Sequence, residues 1–149
     1  MTEKESNDLY DAGCADATPG VRCGRPYVDF DRKAPSLRAA MDSAIRQIAE
    51  AGLRVSHIEP PELVTQTEIA ERAGITRQAV SKYVSMQESG SFPAPASRVT
   101  TSSPLWRWTE VSKWLVAAKG ASKEVADEAE TVEQMNKRLA RTLIPREPA

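Results

Sequence analysis

Gln66-Thr-Glu-Ile-Ala-Glu-Arg-Ala-Gly-Ile-Thr-Arg-Gln-Ala-Val-Ser-Lys-Tyr-Val-Ser85 is the stretch whose reading decides the fold. Two helices joined by a tight turn need a small residue where they touch, a turn residue free to adopt positive φ, and apolar residues that lock the pair. Ala70 supplies the small contact, Gly74 the turn, and Ile69, Ala73, Ile75, Val80 and Val84 the lock. The first helix has a marked beginning. Thr65 to Glu68 reads Thr-x-x-Glu, a capping box, with Val64 and Ile69 placed as the hydrophobic staple around it. It is short, because Gly74 follows soon after, and Thr76 is the natural N-cap of a second helix from Arg77 to about Met86.

The second helix has two chemically different sides. Ala79, Val80, Tyr83 and Val84 share the inward face, which leaves Gln78, Ser81, Lys82 and Ser85 as an outward stripe with Arg77 beside it. Arg and Lys reach guanine O6 and N7, and Gln pairs with adenine. Thr76 and the first backbone N–H groups of the helix suit a phosphate. A solvated helix face with Thr76 as a plain cap is the alternative reading, and Thr76 serves both.

Over these twenty residues the spacing resembles the helix-turn-helix of bacterial and phage repressors, with Ala70, Gly74, Ile75 and Val80 at that motif's structural positions. Phe92-Pro-Ala-Pro and Pro104-Leu-Trp-Arg-Trp-Thr-Glu-Val-Ser-Lys-Trp-Leu extend the resemblance. Leu63 to Lys119 is similar to the MerR-like and excisionase-like winged helix-turn-helix domains, in which a short wing and a third, tryptophan-bearing helix follow the recognition helix. The stretch Ser89 to Ser103 is longer and richer in serine and threonine than the tight wings of that group. With the wing turn at Thr101 to Pro104, Arg98 falls opposite Arg107, a like-charge pair tolerable if both sit in water and useful if a phosphate lies between them, and Val99 pairs with Trp106. Trp106, Trp108 and Trp114 read as core, because a small domain needs large side chains to close.

The flanks carry less. Residues 1–26 hold three glycines and two prolines with no apolar period, and are expected to be a disordered leader. Residues 27–62 read as a strand-helix-strand association unit. Its strands are Tyr27 to Asp31 and Leu53 to Ile58, and its helix, N-capped by Ser36 and closed by Gly52, carries Leu37, Met41, Ala44, Ile45 and Ile48 in one stripe. The two strands run parallel if they pair, and so small a unit must pack on the DNA-binding module, on a second copy or on another protein. Residues 120–149 are a C-terminal helix, Ser122 to about Ile144, and a proline-rich tail. Val125, Ala129, Val132, Asn136, Leu139 and Leu143 form a heptad-like seam, which fits a dimer and equally fits a helix packed on its own domain.

Composition bounds the rest. The chain has 149 residues, 40% of them hydrophobic, and a net charge of −1. Between Arg72 and Lys119, however, seven basic residues stand against Glu88 and Glu110, so one region suits an anionic partner. The longest apolar run, Trp114 to Ala118, is far short of a membrane span. Met1-Thr-Glu-Lys-Glu lacks the layout of a secretory signal, and the expected location is the cytoplasm, at the nucleoid. One histidine, His57, and two cysteines, Cys14 and Cys23, do not make a metal site, and the thiols read as reduced and incidental. There is no glycine-rich phosphate loop, there are no paired carboxylates around a cleft-like segment, and His57 has no partner set by spacing, so no enzyme and no cofactor is expected.

The expectation is a mostly α protein with small β elements (α+β). A winged helix-turn-helix module at 63–119 binds double-stranded DNA through Thr76, Arg77, Gln78, Ser81, Lys82, Ser85, Arg98 and Arg107. The function expected is a bacterial or phage transcriptional regulator that occupies an operator as a homodimer. Its rivals are an excisionase-like DNA-bending protein and an antitoxin-type module that grips a protein partner through residues 27–58.

Overall fold

A computed structural model describes residues 1–86 and 91–143. Among them are six helices and two two-stranded antiparallel sheets, a mixed fold in which helix dominates. The chain forms two compact bodies. Residues 58–138 make one, and residues 1–57 with residues 139–143 belong to the other.

The first body opens with α1 (Glu3–Asp11), followed by β1 (Ala17–Arg22), β2 (Arg25–Phe30) and α2 (Leu37–Glu50). The expected disordered leader is therefore corrected. Thr2 and Glu5 form a second capping box, in which Thr2 Oγ1 accepts from the Glu5 amide at 3.2 Å and the Thr2 amide donates to Glu5 Oε2 at 2.7 Å. Cys23 (φ 51°) and Gly24 (φ 76°) make the two-residue, doubly left-handed turn that matches strand twist, and β1 pairs antiparallel with β2 around it. Leu9, Cys14 and Ile48 form the buried centre, with Ala17, Val28, Phe30, Leu53 and Val55 packed against it. Asp16 takes two hydrogen bonds from Arg32, at 2.7 and 2.8 Å, and Arg32 also donates to Ser43.

The expected parallel strand pair is likewise corrected. Residues 53–57 form no strand. β2 takes its partner from the adjacent hairpin, whose short closing loop costs far less chain entropy than a crossover through a helix. The α2 helix follows its expected stripe, with Ser36 as N-cap accepting from Ala39 and with Ala44 and Ile48 buried.

The second body holds β3 (Leu63–Val64), α3 (Gln66–Ala73), α4 (Arg77–Ser85), β4 (Trp106–Arg107) and α5 (Trp108–Lys119), together with most of α6 (Lys123–Leu143). Val64, Ile69, Ala70, Val80, Phe92, Trp106, Val111 and Leu115 form its core. Trp106 is 1% exposed and donates from its indole nitrogen to the Pro93 carbonyl at 3.1 Å. Phe92, Trp106, Trp114 and Tyr83 pack ring to ring, at centroid distances from 5.0 to 6.4 Å. The tryptophans belong to the core, Trp108 and Trp114 at its margin.

α6 lies along this body through named contacts. Asn136 accepts from the Ile58 amide at 2.7 Å and donates to the Ile58 carbonyl at 3.0 Å, and Lys113 faces Glu130. The asparagine of the heptad-like seam is thus satisfied by its own chain. The expected helix end at Ile144, the tail, Gly90 and Glu88 lie outside the described residues.

Candidate nucleic-acid interface

The candidate surface is built by the way α3 ends. Gly74 sits in the left-handed region (φ 66°, ψ 32°), the Ile75 amide returns to the Ala70 carbonyl at 3.0 Å, and the Gly74 amide reaches Glu71. This double closure satisfies the last carbonyls of the helix and turns the chain within three residues. Thr65 and Glu68 form the expected capping box at the other end of α3. Thr76 then caps α4, its hydroxyl accepting from the Ala79 amide at 3.1 Å. Ile69 and Val80 are both fully buried, which fixes the two helices against one core.

Thr76, at the N-cap of α4, and Arg77, Gln78, Ser81, Lys82 and Ser85 on it are all exposed. The Thr76 hydroxyl occupies the Ala79 amide, and the amides of Arg77 and Gln78 lead the helix with the positive end of its dipole.

Two residues that sequence reasoning missed join the stripe. Gln66 Oε1 accepts from Arg77 Nε at 3.3 Å and from the Ser81 hydroxyl at 3.2 Å, and Thr67 Oγ1 accepts from Arg77 Nη1 at 2.5 Å. The first turn of α3 therefore holds the Arg77 guanidinium in place. A signal was present, because Gln66 and Thr67 are the two residues inside the capping box, and the turn at Gly74 brings that end of α3 beside the start of α4. Arg72, by contrast, lies over the Trp108 ring at 5.4 Å and donates to the Pro61 carbonyl, and burial lowers its pKa.

The expected wing geometry is corrected. Leu105, not Arg107, bridges back across the loop, and its partner is Ser97. Arg98 stands at the corner with φ 56°, where the Thr101 amide and hydroxyl both donate to its carbonyl. Arg107 pairs instead with Leu63 on β3, a strand the sequence did not announce, and Trp106 pairs with Val64. The reason is burial: Trp106 and Val64 close the core together, and that fixes the register of the next residue. Arg107 is then committed to acids. It meets Glu62 at 3.1 Å and the buried Glu133, which also takes Lys137 at 3.1 Å. Arg98 remains exposed, while Arg107 is part of the internal ion-pair network.

No family model, no curated protein and no solved structure matches this chain.

Proposed function

We propose that residues 63–119 form a winged helix-turn-helix module of the MerR-like or excisionase-like kind, and that the protein is a sequence-specific double-stranded DNA-binding regulator acting by operator occupancy. The observation that carries this reading is the stripe Arg77, Gln78, Ser81, Lys82 and Ser85 on a helix capped by Thr76 and locked to α3. Rigid placement matters, because a base-reading arginine already held by Gln66 and Thr67 loses less side-chain freedom on binding, worth roughly 0.5–1.5 kcal/mol. Arg77 and Lys82 suit guanine, Gln78 suits adenine, and Arg98 at the loop corner suits a phosphate. Arg107 no longer belongs to this set.

A helix of nine residues reads only a few base pairs, so the proposal includes two copies on a two-fold site with recognition helices ~34 Å apart. The test is selection of bound duplexes from a random pool with the purified protein, followed by the variant with Arg77, Gln78, Ser81 and Lys82 all replaced by alanine. The expected result is a shared motif, lost in the variant. Specific affinity that survives the four replacements overturns the proposal, and Arg77→Ala alone should cost about 1–3 kcal/mol and relax one base position.

A further inference from the structure

The β1–β2 hairpin of the first body carries a feature that the α4 reading does not use. From Ala17 to Val28 the only charged residues are Arg22 and Arg25, and they face each other across the turn at Cys23 and Gly24. Like charges directly opposite on a ladder are unfavourable, and an anion between them relieves the repulsion. Among the described residues neither arginine has an ion-pair partner, and both are exposed.

The register fixes what stands beside them. The Asp31 amide donates to the Asp16 carbonyl, so the bonded pairs are Asp16–Asp31, Thr18–Asp29, Gly20–Tyr27 and Arg22–Arg25, all on one face. Tyr27 is 47% exposed and lies over Gly20, where an added Cβ would come within 2.6 Å of the phenol. One face of the hairpin tip thus presents two guanidiniums with an aromatic ring next to them. The opposite face carries Ala17, Val28 and Phe30 down to the core. The edges are closed to strand addition midway, because Pro19 and Pro26 occupy positions whose amides would point outward. A partner must therefore meet side chains rather than backbone.

We propose that this hairpin is an arm that contacts the phosphate backbone of duplex DNA, with Arg22 and Arg25 straddling phosphates and Tyr27 packing against sugar. Acid is scarce at the tip, and a planar guanidinium binds phosphate in a bidentate way. The arm rests on the proposed DNA partner, but it supplies affinity without base choice.

The experiment compares the full chain, the variant with Arg22→Ala and Arg25→Ala, the Lys pair at the same positions, and the α4 alanine variant. Each is titrated with its selected duplex and with an unrelated duplex at several salt concentrations. Loss of two phosphate contacts should reduce the slope of log affinity against log salt by about 1.8, so that between 50 and 200 mM salt the wild-type protein loses about twelvefold more affinity than the double variant. Sequence preference should not change, and the Lys pair should keep the steep slope. Slow alkylation of the buried Cys14 certifies that the first body is folded in each variant. An unchanged slope in the alanine pair overturns the arm whatever α4 does, while loss of preference confined to the α4 variant reports on α4 alone. A wild-type protein that binds no duplex overturns both.

Discussion

Gly74→Ala tests whether the angle between α3 and α4 depends on one left-handed residue. A Cβ at Gly74 meets no heavy atom within 4 Å, so the whole cost is conformational. An L-residue at φ 66° costs roughly 1–2 kcal/mol, and the lower entropy of the unfolded alanine chain does not offset it at positive φ. A net loss of about 1 kcal/mol should follow, with asparagine costing less and β-branched valine more. Trp106, Trp108 and Trp114 all lie in the second body, so their fluorescence reports its unfolding in urea without interference from the first. With a typical dependence of about 1–2 kcal/mol per molar urea, the midpoint should fall by roughly 0.5–1 M. Under the proposed function the folded variant should keep wild-type affinity for the selected duplex, because the added Cβ meets nothing that would move the helices. Alanine as stable as glycine would refute the left-handed turn. A loss above about 3 kcal/mol would mean that the Cβ meets an atom, against the open space at this position.

Arg107→Ala should destabilise the second body by about 1–3 kcal/mol, since it leaves Glu133 buried with Lys137 alone, whereas the exposed Arg98→Ala should stay within about 0.5 kcal/mol; urea melts that rank the two the other way would refute the ion-pair network. The hydrogen bonds from Arg32 lower the pKa of Asp16. Because the folded value lies below the unfolded one, the pair stabilises above about pH 4 and its contribution disappears as the pH falls through the folded value, so Asp16→Asn should lower the stability of the first body at neutral pH and flatten its acid limb in circular dichroism melts. Burial raises the pKa of Cys14 while Cys23 is exposed at the hairpin turn, so a thiol reagent should label Cys23 first and Cys14 only on unfolding, and equal rates would refute the first body's core.

The pair α3–α4 was legible because every signal in it is local. A capping box, a glycine at the turn and an N-cap threonine each act within four residues, and the three-and-four spacing of Ile69, Ala73, Val80 and Val84 states which side is buried. The same local signal stood unread at Thr2 and Glu5, where a proline- and glycine-rich composition outweighed it. Alternation at Leu53 and Val55 misled for the opposite reason, since a period of two marks sides and does not supply a neighbour.

By itself, then, the sequence determined where helices start and stop, which face of α4 meets water, and that the tryptophans are core. Only the tertiary structure decided the partners. It gave Arg107 to Glu62 and Glu133 rather than to a phosphate, placed Gln66 and Thr67 against Arg77, and satisfied Asn136 at Ile58. Caps and periods are written in neighbouring residues, whereas these contacts join positions whose meeting depends on which distant side chains fill the core first.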